Sequence, residues 1–205
     1  MNILTIFLIH GLGGTTHSLR PLKAYLNFME YKKVHLVSYP VQDVSLLDSI
    51  QHVSNEMIKV TDKKDEVIVI GQSLGGVICH ELHEYGWNIK KSITIVSPHH
   101  GSSFLEFLSN IVPKNIAEYL HKPVYDDLLT QYAKIPAHPH YTISTSFFPC
   151  IPFDGQVWTS ETKVSDHNHV HIDVNNHWTI FLDPRMFFTV NNIIQMREDR
   201  TKKIV

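Results

Sequence analysis

Val67-Ile68-Val69-Ile70-Gly71-Gln72-Ser73-Leu74-Gly75-Gly76-Val77-Ile78 is the stretch that decides the fold. Its first four residues are apolar and β-branched, the composition of a short strand buried on both faces of a parallel sheet. The run stops at Gly71, and Leu74, Val77, Ile78 and Leu82 then recur at helical spacing. The chain must therefore pass from strand to helix in a sharp turn, with Ser73 at its apex in the spacing G-x-S-x-G. Side chains two positions either side of the apex would collide, and glycine at Gly71 and Gly75 removes them. A serine held this way has its hydroxyl pushed out at the carboxyl edge of the sheet. The helix behind it aims N–H groups and a positive dipole end at any negative charge developing there.

The same alternation extends in both directions. Residues 3–9 are a continuous apolar run and read as the first strand. Leu19, Leu22, Leu26 and Met29 then follow at helical spacing. Residues 34–39 are a second strand, closed by Pro40. Leu46, Leu47, Ile50, Val53, Met57 and Ile58 form a second helical stripe. Beyond the serine turn, residues 92–97 and 141–147 read as strands, and a sixth strand falls within 163–174. Asp183-Pro184 marks the start of the last helix, with Asp as N-cap and Pro in the first turn. Strand–helix repetition of this kind predicts an α/β fold, a doubly wound sheet of about six mostly parallel strands flanked by helices. Sites in such sheets gather at the carboxyl ends of the strands.

Residues 101–139 break the rhythm. They hold Phe104, Leu105, Phe107, Leu108, Ile111, Val112, Ile116, Tyr119, Leu120, Leu128, Leu129 and Tyr132. The segment is too apolar for a plain surface loop and too long for a structureless connection. We expect a helical insert of two or three short helices, placed to act as a partial lid, within a single domain spanning 1–205.

Composition narrows the class. With 205 residues, 43% hydrophobic and 19% charged, the chain has the size and composition of one ordinary globular domain. The net charge of −2 and the lack of a basic patch give no reason to expect nucleic-acid binding. The mixed charges of residues 197–203 read as a solvated tail. Cys79 and Cys150 have no framework spacing, and Cys79 reads as a small core residue. The N-terminal apolar run lacks the basic start and the cleavage site of a signal peptide, and no stretch approaches the length of a bilayer span. A soluble, cytoplasmic protein is the expectation. Alternating His167, His169 and His171 would lie on one face of a strand. With no second cluster to complete a ligand set, they read as exposed imidazoles, and no metal or cofactor is expected.

A second motif, His10-Gly11-Leu12-Gly13-Gly14, closes the first strand. It does not complete a dinucleotide or phosphate-loop pattern. Together with the serine turn it resembles the lipase/esterase branch of the α/β-hydrolases, which carry an H-G-[apolar]-G-G segment at this place. The resemblance runs from His10 to the final helix, and the chain begins at what would be the third strand of the full fold. It implies a minimal form of that fold whose edge strand invites pairing of two copies. It also implies that the backbone N–H groups of Leu12 and Leu74 form an oxyanion hole and that Ser73 is the nucleophile. The acid and base follow in the order Ser, Asp, His. Asp154, in Phe153-Asp154-Gly155-Gln156-Val157, matches the family's acid segment, with Asp166 and Asp173 in reserve. His177, in Asn175-Asn176-His177-Trp178 before the last helix, matches the base, with His171 in reserve. Ser97-Pro98-His99-His100-Gly101-Ser102 also resembles a family segment, one that shapes the site floor and starts the insert. The implied activity is hydrolysis of a small-molecule or lipid carboxylic ester, with a thioesterase, an acyltransferase or a non-catalytic binding protein as alternatives.

Overall fold

In the computed structural model, which describes residues 4–40, 44–111, 127 and 136–196, six strands form one all-parallel sheet. They are β1 (Thr5–Ile9), β2 (Lys33–Val37), β3 (Val67–Gln72), β4 (Ile89–Ile95), β5 (His140–Ser146) and β6 (His169–Asp173). Their spatial order is β2-β1-β3-β4-β5-β6. The helices are α1 (Arg20–Phe28), α2 (Leu46–Ile58), α3 (Leu74–Glu81), α4 (Ser103–Ile111), a single turn α5 (Thr159–Thr162) and α6 (Pro184–Gln195).

Strand periodicity divides the core between the two faces. Ile6 and Leu8 of β1 and Ile68 and Ile70 of β3 point to one side, where α1 and α6 pack on them. Phe7 and Ile9, with Val67 and Val69, point to the other, against α2 and α3. Because both faces are covered, every residue of β1 and β3 is buried, which is why residues 6–9 and 67–70 are apolar without alternation. The expected fold class is the observed one.

Local chemistry sets the ends of the elements. The N-cap Ser45 accepts from Asp48 N–H and the Asp48 carboxylate accepts in return, fixing the start of α2. Asp183 caps α6, with Pro184 in its first turn. The helical stripe Leu19, Leu22, Leu26 and Met29 opens with a 3-10 turn, Thr16–Leu19, before α1. The helix after Ser73 tightens into a second 3-10 turn at Leu82–Tyr85 and stops at Gly86, whose φ of 82° only glycine adopts freely. Lys91 lies in the middle of β4 and is buried. Its ammonium donates to the carbonyls of Ile193, at 2.8 Å, Ile194 and Met196, closing the negative end of α6.

Of the insert expected over 101–139, α4 forms the beginning, and residues 112–126 and 128–135 lie outside the described residues, as does the tail from 197. Cys79 is buried and Cys150 exposed, and both are free thiols. Among the described residues, no helix is long and apolar enough to cross a membrane.

Candidate active site

Backbone strain is concentrated at one edge of the sheet. Of the four non-glycine residues with positive φ among those described, three follow strands, β3 (Ser73, 51°), β4 (Val96, 49°) and β6 (Val174, 59°), and the fourth, Glu30, follows α1; the positive-φ glycines Gly13 and Gly155 follow β1 and β5. Those that follow strands lie at the carboxyl edge of the sheet. For β-branched Val96 and Val174 such a φ is costly, and strain of this kind collects where loops must hold a site.

Ser73 has ψ −119° with its φ of 51°, and forms the N-cap of α3. Its N–H still donates to Ile95 O at 2.9 Å, so the turn stays tied to β4. The neighbouring glycines are there for close approach. A Cβ on Gly71 would fall onto the Gly75 backbone, and one on Gly75 onto the carbonyls of Ile9 and His10. Gly76 adds a third such place, because a Cβ there would overlap Ser97 and Thr94 of the neighbouring strand and its loop.

The His10–Gly14 loop packs against this turn. A Cβ at Gly11 would stand 3.0 Å from Ser73 Cβ, and Gly14 N–H closes the loop on Gly11 O at 3.1 Å. His10 is buried, stacked on Tyr39, and its main-chain carbonyl accepts from the Tyr39 hydroxyl at 2.8 Å. Burial holds the His10 imidazole below its usual pKa, so it stands as a neutral wall of the loop. The loop is thus fixed with Leu12 facing the same cleft as Ser73. Leu74 is the first residue of α3, with its N–H at the free end of the helix.

Asp154 follows β5 and is almost fully buried. Its Oδ1 accepts from the N–H groups of Gln156 (2.8 Å) and Val157 (2.7 Å), and its Oδ2 lies 2.8 Å from His177 Nδ1. His177 N–H also donates to Asp154 O at 3.0 Å. The His177 loop is braced from behind, where Asn175 donates to Asp183 Oδ2 and Asn176 Oδ1 accepts from the N–H groups of Trp178 and Thr179. Asp154 and His177 therefore come together as expected, and the reserve residues do not join them. Asp166 is exposed and paired with Lys163. His169 and His171 lie on the outer strand and interleave with a row of β5 hydroxyls, Thr142, Ser144 and Ser146.

A cleft of about 140 Å³ lies over Ser73, lined also by Leu12, Pro98, Ser102, Phe104, Leu105 and, from the segment after Asp154, Val157. A wider hollow at the opposite end of the strands is lined by Lys33, Lys64, Asp65, Glu66 and Lys90, and is remote from the strained edge. One residue of the cleft's frame carried no sequence signal. The buried carboxylate of Glu161 accepts from Ser103 N–H (2.7 Å) and Ser103 Oγ (2.6 Å) at the start of α4, and from Trp158 N–H (2.8 Å). It ties the first helix of the insert to the segment that follows Asp154, across 58 positions of sequence.

A family model described as palmitoyl protein thioesterase matches residues 5–165. The chain belongs to the palmitoyl protein thioesterase family. The part matched contains Leu12, Ser73 and Asp154, and His177 lies beyond it. No curated protein matches the chain. Among solved structures the family member is similar to the mature lipase BlEst2 of Bacillus licheniformis, with a TM-score of 0.73 and 16% identity over 93% of this chain and 91% of that one. A Listeria innocua gene product matches with a TM-score of 0.68 and 16% identity over 97% and 96%. The type II thioesterase YbtT of the yersiniabactin pathway matches with a TM-score of 0.60 and 16% identity over 92% and 91%. At these identities the likeness is one of fold, and the fold is that of the α/β-hydrolases.

Proposed function

We propose that the protein is a serine hydrolase that cleaves carboxylic esters through an acyl-enzyme on Ser73. The observation that carries the reading is the Asp154–His177 pair at 2.8 Å, on the same sheet edge as the strained Ser73 turn. With Nδ1 occupied by Asp154, Nε2 is the ring nitrogen left to take the Ser73 proton as Oγ attacks the ester carbonyl carbon. The carbonyl oxygen becomes an oxyanion facing the N–H groups of Leu12 and Leu74. As the intermediate collapses, the C–O bond to the alcohol breaks and His177 returns the proton to the departing oxygen. Water then repeats the sequence on the acyl-serine, releasing the acid and restoring Ser73. Asp154 keeps the imidazole in the required tautomer and stabilises it while charged.

The family match favours a second reading of the same chemistry, in which the acyl group arrives as a thioester and the leaving group is a thiol. One experiment tests both. The protein is labelled with a fluorophosphonate probe, then assayed on p-nitrophenyl butyrate and on butyryl-N-acetylcysteamine. Ser73-dependent labelling with the higher kcat/KM on the oxygen ester supports the first reading, and a higher kcat/KM on the thioester supports the second. Labelling that persists in Ser73→Ala overturns both.

A further inference from the structure

His80, His99 and His140 come from three separate places in the chain and meet inside the protein, on the side of the sheet covered by α3. His80 lies in the last turn of α3, His99 follows β4, and His140 opens β5. Their relative exposures are 5%, 0% and 6%. Ring centroids are 5.0 Å apart for His80 and His140, 5.1 Å for His99 and His140, and 5.3 Å for His80 and His99. One ligand-capable nitrogen from each lies within 4.8 Å of the other two.

The hydrogen bonds around the cluster determine which nitrogens are available. His99 Nε2 is 2.9 Å from Thr94 Oγ1, and the Thr94 hydroxyl donates to Tyr141 O. Thr94 therefore accepts from His99 Nε2–H, and the lone pair of His99 is on Nδ1. His140 Nδ1 is 2.6 Å from Ser92 Oγ, which is also 2.8 Å from His138 Nε2. With Ser92 accepting from His140 and donating to His138, the lone pair of His140 is on Nε2. Those two atoms, His99 Nδ1 and His140 Nε2, are buried and make no hydrogen bond. Buried polar atoms left unpaired are rare, and two in one cluster call for an occupant. Burial also holds both rings neutral at pH 7, with His99 well below its usual pKa and His140 lowered to about 3. A neutral ring keeps the lone pair that a metal needs.

We propose that His80, His99 and His140 form a binding site for a divalent transition-metal ion, with Zn²⁺ the best fit. Three imidazoles suit Zn²⁺ and exclude the oxygen-seeking Ca²⁺ and Mg²⁺. Tetrahedral zinc, with Zn–N of about 2.0–2.1 Å, sets its donors about 3.3 Å apart. Ring rotations that draw the nitrogens inward by on the order of 1 Å meet that requirement, and a water or small anion completes the fourth position. Thr94 and Ser92 orient the rings, as outer-shell partners do in metal sites. A route from the surface is laid out in the same residue type, since His138 lies 6.4 Å from His140 and 5.6 Å from the partly exposed His83, ring to ring. The ion would pin the far end of α3 to β5 and to the loop after β4, and so steady the helix that Ser73 caps. The site is independent of the acyl-transfer reading.

The test uses the whole chain, stripped with a chelator, dialysed and titrated first with Zn²⁺ alone and then with Co²⁺ alone. One equivalent of zinc, a raised Tm and the intense visible absorption of tetrahedral Co²⁺ are expected. His80→Gln and His140→Gln should lose that binding, while His169→Gln and His171→Gln keep it. Ser92→Ala should weaken zinc binding about 10–100-fold. Less than stoichiometric zinc, a weak octahedral Co²⁺ spectrum, or full binding in His80→Gln and His140→Gln overturns the proposal. If those two variants do not fold, the zinc content and cobalt spectrum of the unaltered protein decide it.

Discussion

Asp154 and His177 are joined twice, through Asp154 Oδ2 and His177 Nδ1 at 2.8 Å and through His177 N–H and Asp154 O at 3.0 Å. The main-chain bond fixes the separation of the two loops, and the side-chain bond fixes the ring. Asp154 Oδ1 is meanwhile held by two N–H groups, so the carboxylate cannot rotate without breaking three bonds. Asp154→Asn should therefore leave the loops in place while presenting an amide that favours the wrong imidazole tautomer. We expect kcat to fall on the order of 10⁴-fold, with KM little changed and an unaltered circular dichroism spectrum. A loss below tenfold would remove Asp154 from the chemistry.

Ser73 and His177 are proposed to act as one unit, so their losses should not add. Ser73→Ala, His177→Ala and the double variant should show nearly the same residual kcat on p-nitrophenyl butyrate. Multiplied losses in the double variant would mean that the two residues act separately, and would reopen the choice of base.

Gly76 and Gly13 differ in the space around them. A Cβ at Gly76 meets Ser97 and Thr94, whereas one at Gly13 meets nothing within 4 Å and only its φ of 65° opposes substitution. Gly76→Ala should cost about 2–3 kcal/mol, the upper part of the overpacking range, and Gly13→Ala about 1 kcal/mol through backbone strain. Urea unfolding of the two variants measures both, and equal costs would refute the close contact between α3 and the β4 edge.

Much of this was legible in the sequence because it is local. The serine turn, the continuous apolar strands and the Asp183-Pro184 helix start all depend on neighbours a few positions apart. What was not legible depends on distance. Glu161 is a carboxylate in a polar stretch until Ser103 is folded against it. Lys91 falls just before the strand expected over 92–97, and its place inside β4 makes sense only once the end of α6 is beside it. The alternating histidines read as exposed imidazoles, and in β6 His169 and His171 are instead paired with the hydroxyls of β5. The three histidines that converge have no common spacing, and only the packing of α3 on β4 and β5 brings them together.

His169 makes stability depend on acid. Burial, with Lys163 and His171 adding to it and Asp166 opposing, holds its pKa at about 4. The unfolded chain takes up a proton near pH 6.5 that the folded one refuses until about pH 4. The contribution of His169 is thus fully present above pH 6.5 and is lost progressively as the pH falls towards 4. His169→Gln keeps a hydrogen-bonding side chain beside Thr142 and Ser144 but cannot titrate. Its unfolding midpoint in urea should fall less steeply than that of the unaltered protein between pH 6.5 and 4.5. Parallel curves would show that other groups carry the acid sensitivity.

Acyl-chain preference should follow the walls of the cleft. Leu12, Phe104, Leu105 and Val157 give it an apolar lining, and Phe104 packs on Phe153, next to Asp154, with ring centroids 5.9 Å apart. Each methylene transferred from water to such a lining contributes about 0.8 kcal/mol, or roughly fourfold in kcat/KM. From acetate to butyrate, two methylenes therefore predict a rise of roughly 15-fold. The volume of about 140 Å³ then limits the gain, so the rise should level off within the short- to medium-chain range. Phe104→Ala removes a wall without touching Ser73, Asp154 or His177. It should shift the plateau to longer chains while leaving acetate turnover within a few fold of the original. A p-nitrophenyl ester series from acetate to palmitate, assayed below and above the concentration at which the substrate forms micelles, measures this directly. A flat profile in both proteins would separate acyl recognition from this cleft. A jump in rate at the onset of micelles would replace a fixed cleft with one that opens at a lipid surface.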